Sequence, residues 1–129
     1  MDDMTILIVD DEATTAEMFS LMLENEGYRT VVVHGTGTAI RAIQQHRPNL
    51  VLVDVMMPGL SGLELCRFIR REPELHDLPV IIASAMSQPE DIQAGLDAGA
   101  NVYLMKPISK ADLLEGLDTA LRNDTDGPR

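Results

Sequence analysis

Five short apolar runs, none of them alternating apolar with polar residues, constrain this chain more than any other feature. They are Thr5–Val9, Thr30–Val33, Leu50–Val53, Val80–Ala83 and Val102–Met105, all rich in Val, Ile and Leu. A strand with one wet face alternates. A run that stays apolar suits a strand buried on both faces, as in a parallel sheet. Parallel neighbours need long crossovers, usually helices. The intervening segments supply them: Thr14–Glu26, Thr38–His46, Gly62–Glu72, Pro89–Ala98 and Lys110–Leu121 have helical period. Each is long enough for about three turns.

Local punctuation agrees. Thr14 precedes Glu17 by three residues, as Ser61 does Glu64 and Ser87 does Glu90, so each pair is a candidate capping box. Ser109 with Asp112 is a weaker version. Gly27 and Gly99 stand where helices should end, and Pro48 and Pro79 fall just before strands, where they remove no ladder bond. The pattern is βα repeated five times. Right-handed crossovers then put helices on both faces of one sheet, an α/β architecture of five parallel strands and five helices.

A chain of 129 residues fits one such domain and can bury a core without disulfides. We expect the domain to span residues 1–122. The polar stretch 123–129, NDTDGPR, reads as a disordered tail or the start of a linker. The single cysteine, Cys66, rules out an internal disulfide and sits in an amphipathic segment as a packing residue. The N-terminus has no basic region before an apolar run, and no stretch approaches the roughly 18 apolar residues of a membrane helix. A cytoplasmic location is the simplest expectation. The formal net charge of −11 argues against direct binding to nucleic acid or an anionic membrane.

Ligands of open α/β sheets bind beyond the carboxyl ends of the strands, where strand order reverses. Polar residues collect at those ends: Asp10 and Asp11 after the first run, Asp54 after the third, Ser84 after the fourth and Lys106 after the fifth. In the flavodoxin-like order 2-1-3-4-5 the first and third strands are neighbours, so the three aspartates face one crevice. At roughly 5 Å and an effective dielectric near 20, each pair of carboxylates repels by about 3 kcal/mol. A cation or a lysine must offset that. Carboxylates, waters and a phosphate group suit Mg²⁺. Lys106 offers a point charge for a phosphoryl oxygen, and Ser84 a hydroxyl. A carboxylate nucleophile, a metal and a cationic side chain are the parts of phosphoryl transfer to aspartate. Taken singly, each residue has a plainer reading. Asp10 and Asp11 could cap a helix, Asp54 could belong to a turn, and Lys106 could be a solvated loop residue. Their joint placement is what carries the inference.

Over about Met4 to Leu121 the chain resembles response-regulator receiver domains of two-component signalling. The matching motifs are ILIVDDE at 6–12, LVLVDVMMPGLSGLEL at 50–65, PVIIASA at 79–85 and AGANVYLMKP at 98–107. Asp54 and Ser84 stand 30 residues apart, and Ser84 and Lys106 stand 22 apart; the order and spacing are specific together. The resemblance implies a phosphorelay switch rather than an enzyme acting on other molecules. Asp54 is then the phosphoacceptor. Asp11 ligates Mg²⁺ (or Mn²⁺) directly, Asp10 acts through water, and the Met56 backbone carbonyl is a further ligand. Lys106 pairs with the acid or the phosphoryl group, and Ser84 stands for the commoner threonine. Tyr103 takes the aromatic switch position, and Pro58 and Gly62 match the loop after the acceptor. The resemblance also implies a cis Lys106–Pro107 bond. The donor would be a sensor histidine kinase or a histidine phosphotransfer protein. Output would pass through the fourth helix, fifth strand and fifth helix, a face that also allows a homodimer. Receivers that lose phosphate quickly tend to carry polar residues at the places held here by Met56 and Met86, which implies a long-lived phosphoryl state.

Rival readings are weaker. A phosphatase of the haloacid dehalogenase type needs a second aspartate where Met56 stands. A flavin module needs stacking partners, and aromatic residues make up 3% of the chain. Gly35-Thr36-Gly37 lacks the Lys-Ser/Thr of a P-loop. His34, His46 and His76 are scattered without metal spacing and read as surface residues.

Overall fold

The computed structural model describes residues 4–56 and 61–126, so Pro58 and the last residues of the polar tail lie outside the described residues. Five strands, β1 (Thr5–Val9), β2 (Arg29–Val33), β3 (Leu50–Val53), β4 (Val80–Ser84) and β5 (Val102–Met105), form one sheet in the order β2-β1-β3-β4-β5. All four pairings are parallel. The helices are α1 (Ala13–Glu24), α2 (Thr36–His46), α3 (Gly62–Arg71), α4 (Pro89–Ala98) and α5 (Lys110–Asp126). The five parallel strands are those expected from the apolar runs, and their order is the flavodoxin-like one on which the reading of the aspartates relied.

Side-chain alternation splits the sheet's two faces between two cores. Leu7, Val9, Val51, Val53, Val80 and Ile82 face α2, α3 and α4. Ile6, Ile8, Leu50, Leu52, Ile81 and Ala83 face α1 and α5, meeting Phe19, Leu23, Leu113 and Leu117. Both sets are buried, which is why these runs do not alternate.

The helix starts depart from the expected caps in instructive ways. Ser61 and Glu64 form the capping box on α3. Ser109 Oγ accepts the Asp112 amide, as its weaker signature suggested. Thr14, however, lies inside α1. The Glu12 carbonyl accepts the Ala16 amide at 3.0 Å, and the helix starts one residue earlier. On α4 the cap is Gln88, whose amide donates to Asp91, and not Ser87 with Glu90. Pro89 explains the shift: it is preset for the first helical position, which makes its predecessor the cap. α2 begins two residues earlier than expected, absorbing Gly37. α5 continues to Asp126, beyond the expected end at Leu121.

Candidate functional site

The strand order makes β1 and β3 neighbours, and their register pairs Val9 with Val53. One residue beyond that pair, the ladder bonds continue: Asp54 N–H donates to the Val9 carbonyl at 3.0 Å and Asp10 N–H to the Val33 carbonyl at 3.1 Å. Asp10 and Asp54 are therefore held by backbone on a rigid sheet edge. Asp10 is buried, at 2% exposure, whereas Asp11 is exposed. One carboxylate oxygen from each of Asp10, Asp11 and Asp54 lies within 4.8 Å of the others.

Lys106 reaches this cluster from the far side of the sheet. Its backbone N–H donates to the Ser84 carbonyl at 2.8 Å, which extends the β4–β5 ladder, and the Lys106–Pro107 bond is cis. Its Nζ donates to Asp10 Oδ2 at 3.0 Å and to Asp54 Oδ2 at 3.3 Å. Burial alone would depress the Lys106 pKa. The hydrogen bond to Asp10 and the charges of Asp54 and Asp10 outweigh it and raise the pKa. Burial pushes the Asp54 carboxyl above its ordinary value, against the lowering effects of the Met56 amide and the Lys106 ammonium. Asp10 adds to the rise by repulsion.

Three carboxylates face one ammonium here. The donor set is all oxygen, and one member is open to solvent. That chemistry fits a hard divalent cation of the Mg²⁺ or Mn²⁺ kind, which keeps several waters and takes carboxylate ligands.

The other expected residues sit around this centre. Met56 is 61% exposed, and its backbone N–H donates to Asp54 Oδ1 at 3.2 Å. Gly62 lies against the backbone of Asp54. A Cβ there would stand 2.9 Å from the Asp54 carbonyl carbon and 3.0 Å from Val55 Cα, and closer still to the Asp54 carbonyl oxygen. The register pairs Val53 with Ile82, so Asp54 is level with Ala83 and Ser84 falls one residue beyond. Ser84 is fully buried. Its Oγ accepts the Met86 amide at 3.1 Å, while the Tyr103 hydroxyl donates to the Met86 carbonyl at 2.8 Å. The peptide groups of Met86 thus tie Ser84 to Tyr103. Residue type signals only the Met86 side chain and not these two backbone bonds. The Tyr103 ring fills the space that a Cβ on Gly95 of α4 would need.

His34 is exposed, as expected of a surface residue, and it also makes one contact near the aspartates. Its Nδ1 lies 2.8 Å from the Asp10 carbonyl oxygen, which adds a side-chain rung beyond the β1–β2 ladder. Histidine spacing gave no hint of it, because the partner is a backbone atom. A cleft of about 440 Å³ lies at the opposite edge of the sheet, between Arg47–Asn49 and Glu72–Pro79, and does not border the aspartates.

The model of the response regulator receiver domain family matches residues 6–118. The chain belongs to that family. Among its relatives, the DNA-binding response regulator MtrA of Mycobacterium tuberculosis is 39% identical over 124 residues, covering 95% of this chain and 53% of MtrA. The phosphate regulon transcriptional regulatory protein PhoB of Pseudomonas aeruginosa is 39% identical over 123 residues, covering 95% of this chain and 54% of PhoB. This receiver therefore spans about half the length of the curated relatives it matches. A crystal structure of a response regulator from Chloroflexus aurantiacus superposes with a TM-score of 0.91 at 34% identity, covering 95% of this chain and all of that one. Among the described residues, no helix of the receiver is long and apolar enough to cross a membrane.

Proposed function

We propose that this receiver works in the cytoplasm as a phosphorylatable relay, with Asp54 as the acceptor. The observation that carries the reading is the shared ammonium: Lys106 bonds Asp10 and Asp54 together inside a cluster of three carboxylates. The donor is a phosphohistidine on a sensor kinase or a phosphotransfer protein. A carboxylate oxygen of Asp54 attacks phosphorus from the side opposite the imidazole. The new P–O bond forms as the P–N bond breaks, leaving an acyl phosphate on Asp54 and the electron pair on the departing nitrogen. Asp11, the Met56 carbonyl and Asp54 would hold Mg²⁺ directly, and Asp10 through water. When bound, the cation supplies positive charge to the phosphoryl oxygens. Lys106 gives up part of its contact with Asp54 and takes a phosphoryl oxygen instead.

Ser84 carries the signal outward. Its hydroxyl is turned to the Met86 amide in the resting arrangement and would exchange that partner for a phosphoryl oxygen. Met86 also anchors Tyr103, so the exchange bears directly on the side of the molecule formed by α4, β5 and α5. A two-state element biased by one new set of contacts is a sufficient switch. The test is phosphorylation by acetyl phosphate with Mg²⁺, followed by intact-mass spectrometry. Wild type should gain one phosphoryl group and Asp54→Asn none. Equal gain in the variant would refute the assignment.

A further inference from the structure

The cleft at the edge of the sheet opposite the aspartates is lined by charge of both signs. It encloses about 440 Å³ between Arg47–Asn49, which joins α2 to β3, and Glu72–Pro79, which joins α3 to β4. Pro48 is buried and Leu75 and Leu78 are half-buried, so part of the lining is apolar. Arg47 brings a cation from one loop, and Glu72 and Glu74 bring acids from the other. Asp77 already lies 3.0 Å from His76 Nδ1. The side chains of Arg47, Glu72 and Glu74 have no hydrogen-bond or ion-pair partner among the described residues.

Two further observations point to a ligand. Arg47 has φ 47° and ψ 62°, and among the described residues it is the only one other than glycine with a positive φ. It ends α2, with its amide donating to the Ile43 carbonyl at 3.0 Å, in a conformation that favours glycine or asparagine. The turn gives no reason for an arginine, whereas the cleft beside it gives the side chain a use. The facing loop is braced by Arg70. Its Nη1 donates to the carbonyls of His76 and Leu78 at 3.0 and 2.7 Å, and its Nε to the Gly99 carbonyl at 2.9 Å. A loop fixed in this way holds its shape without a ligand, which lowers the cost of binding one.

We propose that this cleft binds a free dipeptide with apolar side chains. The peptide carboxylate meets Arg47, its ammonium meets Glu72 and Glu74, and its side chains lie on Pro48, Leu75 and Leu78. Charge of both signs selects a ligand that carries both; a simple anion or a metal ion answers only one loop. Length selects the dipeptide. Taken as equal-sided, a cleft of about 440 Å³ is about 7–8 Å across, and two extended residues span about 7 Å. In a single amino acid both charged groups sit on one carbon and cannot reach both loops.

The experiment titrates the whole receiver with leucyl-leucine in a calorimeter. One saturable site with a dissociation constant below about 1 mM is expected. N-acetyl-leucyl-leucine, leucyl-leucine amide and leucine alone should each bind at least about tenfold more weakly. Arg47→Asn should weaken binding of the dipeptide at least about tenfold, with Tm unchanged or raised because asparagine suits the left-handed turn. Glu72→Gln with Glu74→Gln should have a similar effect on binding. Arg41→Gln, exposed on α2 and outside the cleft, should change it less than about threefold. Chemical-shift mapping should place the changes around Arg47, Leu75 and Leu78. No saturable binding, equal binding of the capped peptides or of leucine, full affinity in Arg47→Asn, or shifts centred on Asp10 and Asp54 would each overturn the proposal.

Discussion

Replacing Gly62 with alanine pits two physical effects of opposite sign against each other. Gly62 opens α3, and glycine in a helix is worth about 0.5–1 kcal/mol less than alanine, so propensity alone expects the variant to be more stable. The packing expects the reverse. The added Cβ would fall inside contact distance of the Asp54 carbonyl group and Val55 Cα, all of it backbone that no rotamer change can clear. Relieving such overpacking costs about 1–3 kcal/mol, and the Gly62 amide's bond to the Val55 carbonyl, 3.0 Å long, is worth about 1 kcal/mol more if it breaks. The net expectation is a loss of about 2 kcal/mol, or about 8 °C in Tm for a domain this size. The strain falls on the peptide that carries the Asp54 carboxylate, the proposed acceptor. A displacement of about 1 Å there should slow phosphorylation about a hundredfold. Thermal denaturation and the acetyl phosphate assay test both parts. An alanine variant with unchanged or raised Tm and a normal rate would refute the close-approach argument.

Met56 and Met86 offer no acid or amide to orient an attacking water, so the acyl phosphate should last many minutes after the donor is removed. Met56→Asn with Met86→Glu should shorten that at least about tenfold, or about 1.4 kcal/mol of barrier; decay of the wild type within seconds would count against it. Ser84→Ala should still take phosphate on Asp54 but lose the response in β5 and α5, which chemical-shift mapping would detect. Because burial raises the Asp54 pKa above 3.8, the folded state favours the protonated acid, and its contribution to stability is lost as pH rises through the folded pKa. In EDTA, the Tm advantage of Asp54→Asn over wild type should therefore grow from pH 4 toward neutrality and then level off; a shrinking gap would contradict the sign.

Much of this was legible before the fold was seen, for reasons that differ from residue to residue. β1, β3, β5 and α4 have the bounds that their apolar runs and punctuation imply, because strands buried on both faces leave no ambiguity about which residues must be apolar. The carboxylates and Lys106 could be grouped because each ends a strand, and strand order brings those ends together. What could not be read was backbone partnership. Met86 matters through its amide and carbonyl, His34 through a bond to a carbonyl, and Gly62 through a near-contact with a peptide; residue type encodes none of these. The misplaced caps on α1 and α4 have a related cause. Thr14 and Ser87 carry the right chemistry, but the hydrogen bond from Ala16 and the ring of Pro89 decide where each helix begins.

Lys106 sits at the end of the outermost strand, yet it bonds residues 96 and 52 positions earlier in the chain. The cluster therefore joins three distant parts of the chain and is complete only when β1, β3 and β5 all stand in the sheet. If Asp54 accepts phosphate as proposed, a chain cut before β5 lacks the ammonium that Asp10 and Asp54 share, and it should take up phosphate more slowly than the intact receiver.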